Sequence, residues 1–589
     1  MTNETGWRGV RLGLLLAVAG GCGPGGGTTE TQASTGEGTT GASDPTTPTT
    51  GATDPTGATD PTDPTDTTDP TDTNGGVDQT VVLGFSRDVD LLFVVDNSGS
   101  MAEEQALLAQ NIAALVNVLE AVGANYRVGV TTTDSGNPRC PSAVYKPEGG
   151  NLVLSSCLDR VDQNEFKFGD DDFSFACTDL CTKRDADLSV KGTATAEDPQ
   201  EVPRKWVERI DGQSNIGGVG SVAEALQCYL PQGVAGCGFE SHLESMYLAL
   251  ASSASAASKT NYGFVREAAR LAIVIVSDET DCSYNQATKE IFTTNKVFWN
   301  SPDDPAPTSA MCWRAGVECT GMGPSYSECH SQNYGADGAV TADPSEAALH
   351  PVSKYIDFVT SVEANKQQID QALRVQVALL TGVPVGYEDF AAEILYEDTP
   401  DANYQANFGI GPGCVLGDPG QPSGAAVPPV RERELAEAFT DVAQRNLYSI
   451  CQGDYSGALA AIAGEIADTI VPTCMPNCVK DLDANTAVVE PSCALFEENV
   501  MQGTKTEIPQ CSVVNGEWVV PGGATVCFGI LVDKGGQTPS MIDDMSPYCL
   551  DEGFNLEFVL VRSAAAPAGV LISAVCELSD NKQRDCPNL

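Results

Sequence analysis

Apolar residues fall into two rhythms along this chain. Near-continuous runs of Val, Leu and Ile at 88–95, 126–133, 270–276, 374–380 and 447–451 read as buried strands. Between them, 103–122, 219–229, 243–252, 354–373, 432–445 and 458–470 carry apolar residues at helical spacing. In the first of these Leu108, Ile112, Leu115, Leu119 and Val122 share one face. Strands alternating with helices predict an α/β fold: a doubly wound, mostly parallel sheet covered on both faces. Two stretches, 135–218 and 282–350, break the rhythm. They are rich in Asp, Gly, Pro and Cys and far longer than ordinary connections. They read as disulfide-stapled insertions leaving the sheet at one edge, where they can wall a site. Beyond 472 the texture changes to short β-rich runs at 517–520, 525–532, 556–561 and 570–575. Residues 22–80 have no apolar rhythm at all. They are Thr, Pro, Gly and Asp with repeated Asp-Pro-Thr, too polar to offset the entropy of ordering. The organisation expected is a leader at 1–21, an extended linker at 22–80, an α/β domain with insertions at 81–472 and a small β-containing domain at 473–589.

Composition sharpens this picture. Of 589 residues, 32 are Lys or Arg and 81 Asp or Glu, a formal charge of −49. Such a chain repels nucleic acid and anionic lipid headgroups and attracts divalent cations. It has 21 cysteines and three histidines, His242, His330 and His350. Zinc-motif spacing is absent, so disulfides in an oxidising compartment account for the cysteines. Eight of them (Cys474, Cys478, Cys493, Cys511, Cys527, Cys549, Cys576 and Cys586) fall in the last domain, enough for four bridges. Arg8 and Arg11 precede the apolar run 12–19, then come Gly20, Gly21 and Cys22. The run fits a signal h-region and is too short to span a bilayer. The segment resembles a bacterial lipoprotein signal, which implies lipidation of Cys22, export, and anchorage to the cell envelope, with the outer membrane preferred. Setting Cys22 aside leaves an even number of cysteines to pair.

The candidate chemistry stands where the run 88–95 ends, in Asp96-Asn97-Ser98-Gly99-Ser100-Met101. A buried strand here delivers a carboxylate and two hydroxyls to the sheet edge, and Asp96, Ser98 and Ser100 alternate so that one turn can aim them at one point. Oxygen-only donors suit a hard cation. The motif resembles the D-x-S-x-S signature of von Willebrand factor type A (VWA) domains, whose metal-ion-dependent adhesion site (MIDAS) recognises a partner's carboxylate. The end of the run 271–276, Ser277-Asp278, resembles the element that brings a further aspartate there, although Glu279 stands where a glycine often follows. The resemblance implies Mg²⁺, or Ca²⁺ or Mn²⁺, held by Asp96, Ser98, Ser100 and Asp278. The family's middle ligand, a threonine, falls on Glu240 or Ser241, and a carboxylate there would favour the larger ions.

Other motifs carry less. Asp481-Leu482-Asp483-Ala484-Asn485 begins like a Ca²⁺ loop but lacks its turn glycine and its closing Glu, and reads as a solvated turn. No nucleophile elbow or phosphate loop is present, and His242 reads as a surface residue opening a helix, so no enzyme is expected. The function expected is that of a cell-surface lipoprotein binding a protein partner through its Asp or Glu, touching membrane only through its lipid. The alternatives are an envelope scaffold with a degenerate metal site and, more distantly, a secreted hydrolase.

Overall fold

The structure, a computed structural model, describes residues 79–83 and 87–589 except 211, 370–372, 419–420, 441–443, 471–472, 500–503, 515, 563–569 and 588, with backbone alone for a few more. The expected leader, Cys22 and nearly all of the linker lie outside the described residues.

The larger part is mixed α/β. Its central sheet has strands β1 (Asp88–Val95), β2 (Asn125–Thr132), β3 (Val207–Ile210), β4 (Arg270–Val276), β5 (Val375–Thr381) and β6 (Leu447–Ser449). They lie in the order β3-β2-β1-β4-β5-β6, with the two-residue strand Gln213–Ser214 outside β3. The pairs β2–β1, β1–β4, β4–β5 and β5–β6 are parallel, and β3 runs antiparallel to β2. The flanking helices are α1 (Ala102–Ala121), α2 (Val222–Tyr229), α3 (His242–Ser253), α4 (Val352–Gln367), α5 (Val430–Glu437) and α6 (Ser456–Thr469).

Strand pleat divides the core in two. Val89, Leu91, Phe93 and Val95 of β1 pack with Ala272, Val274 and Val276 of β4 against Leu108, Ile112 and Leu115 of α1 and Leu459 and Ile462 of α6. The alternate residues, Leu92 and Val94 with Leu271, Ile273 and Ile275, pack against Leu243 and Met246 of α3, Tyr355 and Val359 of α4 and Leu435 of α5. Both strands are buried on both faces, which is why they read as unbroken apolar runs. Gly129 in β2 has a spatial reason: a Cβ there would stand 2.8 Å from the Phe264 ring.

Disulfides hold the insertions. Cys140–Cys237, Cys157–Cys177 and Cys181–Cys228 staple the first and its return, Cys282–Cys312 and Cys319–Cys329 the second, and Cys414–Cys451 a later hairpin. The first stretch also supplies β3, a sheet strand rather than decoration. Each such bridge contributes about 2–4 kcal/mol by restricting the unfolded chain.

The C-terminal part holds a four-stranded sheet and a three-stranded one. They enclose a small core that includes Met475, Leu495, Phe528 and Phe558. Four bridges, Cys474–Cys549, Cys478–Cys586, Cys493–Cys576 and Cys511–Cys527, stay within it. One boundary differs from expectation. The strand Gln79–Leu83 does not open the α/β part but pairs antiparallel with Val570–Cys576 of the C-terminal sheet. Its run of Thr and Val suits an edge in either sheet, and only the pairing decides.

Candidate functional site

The winding of the sheet reverses between β1 and β4, its innermost neighbours, and ligand crevices of open α/β sheets form at the strand C-termini of such a point. Asp96 and Asp278 both stand there. The Asp96 N–H donates to Val276 O at 2.9 Å, carrying the pairing past the end of β1. Oδ1 of Asp96 accepts from the Ser98 N–H at 2.7 Å, and Oδ2 from the Ser277 hydroxyl at 2.6 Å. The Ser98 and Ser100 hydroxyls lie 3.3 Å apart, and Ser100 donates to Asp278 Oδ1 at 3.2 Å. Asp96, Ser98, Ser100 and Asp278 thus form one connected edge. Gln105 of α1 locks the loop, its amide donating to Asp96 O and Gly233 O at 2.7 and 2.8 Å. Phe168, at the turn of an insertion hairpin and 44% exposed, lies across Gly99, where a Cβ would meet its ring at 2.8 Å. A glycine between the two serines leaves room for that ring.

Glu240 and Ser241 separate here. Glu240 is fully buried, accepts a short hydrogen bond from the Thr133 hydroxyl, and has no partner for Oε1. Ser241 donates to Cys282 O at 3.1 Å, a structural bond at the start of α3. Of the two, Glu240 belongs with the acids.

His242 is not the surface residue expected. It is fully buried, with Nε2 2.6 Å from Ser277 Oγ and Nδ1 3.2 Å from Glu432 Oε1 of α5. Its partners are 35 and 190 positions away in sequence, which is why the helix-start pattern concealed it. Ser277 donates to Asp96, so its oxygen accepts from Nε2–H, while Nδ1 faces a carboxylate. Burial pushes the imidazole pKa down, and Glu432, Asp281 and Asp96 outweigh that and raise it. The Ser277–His242–Glu432 series has the spacing of a hydrolytic triad. Ser277 is only 2% exposed and has committed its proton to Asp96, so it is no nucleophile open to substrate.

Acids crowd this edge beyond those the motif names. Glu104 in the first turn of α1, Glu279 beside Asp278, and Asp134 after β2 are all buried. Burial, and then the neighbouring Asp278 and Asp96 charges, raise Glu104 and Glu279 well above the ordinary carboxylate range. Burial followed by Asp96 brings Asp278 up to about 7, and burial lifts Asp134 to about 6. Glu240 rises through burial, then Asp96, Asp134 and Glu279. Glu104 Oε2, Asp134 Oδ2 and Glu240 Oε1 are buried without hydrogen-bond partners. An all-oxygen set with excess negative charge and orphaned oxygens fits a hard divalent cation and does not fit a soft one. Among the described residues, the group of three His, Cys, Asp or Glu ligand atoms within 4.8 Å of one another is Cys157, Cys177 and Cys181, and these are spent in disulfides. Sequence reasoning missed Glu104, though its place four residues after Ser100, on the first turn of the following helix, was a signal.

The Asp481 loop is a solvated turn: Asp481 Oδ1 accepts from the Asp483 and Glu490 N–H groups, and Asp483 Oδ1 from that of Asn485.

No protein-family model and no curated protein sequence is similar to the chain. Among solved structures, the pilus adhesin SpaC from Lactobacillus rhamnosus GG overlaps 84% of this chain and 40% of its own, at 9% identity and a TM-score of 0.24. The adhesive tip pilin GBS104 from Group B Streptococcus agalactiae overlaps 86% and 82%, at 9% identity and 0.24. The pilus adhesin RrgA from Streptococcus pneumoniae overlaps 86% and 58%, at 8% identity and 0.21. The chain spans about two fifths of SpaC's length, and likeness at these TM-scores carries no inference about fold or function.

Proposed function

We propose that the β1–β4 crevice is a divalent-cation site of the VWA type and that the protein is a surface binding protein rather than an enzyme. The observation that carries this reading is the meeting of Asp96, Ser98, Ser100 and Asp278 at the switch point, linked by the 3.2 Å bond from Ser100 to Asp278. The strand order, which winds outward in both directions from β1 and β4, supports it. Asp96, Ser98 and Ser100 would hold the ion, with Asp278 and Glu240 beside them. A cation bound there supplies a Lewis-acidic position for one carboxylate oxygen of a partner protein. Ser277 and His242 orient Asp96, Gln105 fixes its loop, and the Phe168 hairpin shapes what can approach. Ten disulfides favour an exported protein in an oxidising compartment. Among the described residues no helix is long and apolar enough to cross a membrane.

Calorimetric titration of the oxidised chain with Mg²⁺, Ca²⁺ and Mn²⁺ tests the site. Binding is expected in the parent and lost in Asp96→Ala and in Ser98→Ala. Absence of binding in the parent would leave the envelope-scaffold reading, and turnover of generic ester or peptide substrates would restore the hydrolase. Capture of an envelope partner that EDTA releases tests the adhesive role.

A further inference from the structure

The hairpin that crosses Gly99 is anchored to the loop it covers. Its strands pair Lys167 with Asp172 and Phe168 with Asp171, and Gly169, at φ +62°, takes the first position of the two-residue turn. At its foot Phe166 is 1% exposed, in a core that also takes Phe173 and the cysteines of the Cys157–Cys177 and Cys181–Cys228 bridges. Phe168 stands outside that core. The Val234 N–H donates to Glu165 O at 2.7 Å. Gly233, next to Val234, exchanges two hydrogen bonds with Gln105, the same side chain that donates to Asp96 O. Hairpin foot and Asp96 loop thus share one anchor, which seats the Phe168 ring on the glycine between Ser98 and Ser100 while leaving the residue 44% exposed. Residues directly opposite in a hairpin project from one face. The face that carries Phe168 therefore carries the exposed Asp171, and Lys167 and Asp172 project from the other. An aromatic ring with a carboxylate beside it attracts a cation, through the ring quadrupole and through the full negative charge.

We propose that Phe168 and Asp171 receive a Lys or Arg side chain of the partner protein, so that the crevice selects a segment carrying a base close to the acid that reaches the ion. This rests on the cation reading above and deepens it. A segment bearing an acid alone meets Asp171 as a like charge. A base beside that acid pairs with Asp171 and stacks on the ring, so the hairpin discriminates among acidic partners that the ion alone would accept equally. Phe168 and Asp171 act on the partner and take no part in holding the ion.

The test is a titration of the Mn²⁺-loaded, oxidised full chain with the peptides acetyl-Lys-Asp-amide and acetyl-Asp-Lys-amide, and with the same two peptides acetylated on the lysine. Displacement of water from Mn²⁺ is read by proton relaxation, and Mn²⁺ affinity is measured separately by electron paramagnetic resonance. At least one lysine peptide is expected to bind about 10-fold more tightly than its acetylated form. Phe168→Ala/Asp171→Asn is expected to erase that preference and keep the Mn²⁺ affinity, and Phe168→Tyr, which retains the ring, is expected to keep both. Thermal melting confirms that each variant is folded. Equal binding of the lysine and acetylated peptides by the parent, tighter binding of the acetylated ones, or a preference that survives in the double variant would overturn the proposal and leave the cation site standing. Absence of Mn²⁺ binding in the parent would overturn both readings.

Discussion

The β1–β4 edge of the α/β part and the Asp533 loop of the C-terminal part each bury acid, in opposite ways. In the C-terminal part Asp533 is fully enclosed and its carboxylate is saturated: Oδ1 accepts from the Gly535 and Gln537 N–H groups and Oδ2 from that of Thr538. Burial pushes its pKa up, and those donors reverse the effect and hold it below the usual range. Other acids there sit beside cations, as in Lys480–Glu577, Lys505–Glu498 and Arg584–Asp585. At the β1–β4 edge, acids are equally hidden but stand against one another, with orphaned oxygens and raised pKa values. The chain can satisfy a buried carboxylate with its own groups and does so in both parts: Asp90 and Asp281 of the α/β part, both fully buried, are held by Arg266 and Arg431. The unmet acids of the β1–β4 edge are thus a local arrangement and not a by-product of a net charge of −49.

The largest test of this contrast is a pair of substitutions. Asp96→Ala is expected to abolish Mn²⁺ binding, while Asp533→Ala leaves binding intact and lowers the melting temperature. Loss of Mn²⁺ affinity in Asp533→Ala would break the comparison. Lys366 sharpens it with a buried charge of the other sign. Its ammonium is 2% exposed, donates to Arg266 O and Ala269 O at 2.6 and 2.7 Å, and burial lowers its pKa to about 8. With the folded value below the unfolded one, the cost of the charged form is full below pH 8 and fades as pH rises toward that of a free lysine. Stability should therefore climb between about pH 8 and 10.5, by roughly 3 kcal/mol. Chemical denaturation across that window, compared with Lys366→Met, measures it, and an equal slope in both proteins would refute it. Next comes cation stabilisation. At a hundred times its Kd, a bound ion should add about 2.7 kcal/mol to unfolding of the α/β part, with no gain in a C-terminal transition followed by Trp518 fluorescence. Smallest is Ser277→Ala, which removes a donor from Asp96 and should weaken Mn²⁺ binding by about 10-fold. Unchanged affinity would show that the Ser277–His242–Glu432 series does not orient the ligand.

Legibility from sequence followed burial. The run 88–95 and the run 270–276 match β1 and β4 residue for residue, because strands hidden on both faces admit almost nothing but apolar side chains. Edge elements were harder. The four residues Val-Glu-Arg-Ile of β3 look like any polar loop, since Glu208 is neutralised by Arg127 of β2, 81 positions away. The helix expected over 432–445 spans Val430–Glu437. At the site, Asp96, Ser98, Ser100 and Asp278 were readable because each pair lies within a few residues of its own strand end. Glu104, Asp134, Glu432 and the burial of His242 were not, because nothing in local spacing reports which acids tertiary packing brings face to face.

The first described strand also sets how tension enters the molecule. Each of the ten disulfides joins cysteines on the same side of residue 472. The strand Gln79–Leu83 is bound by backbone hydrogen bonding to Val570–Cys576 over five residue pairs. A pull on the chain ahead of Gln79 therefore loads the C-terminal sheet in shear before any force reaches Asp88. That sheet is itself cross-braced by Cys493–Cys576, so the load is taken up there ahead of the Asp96 edge.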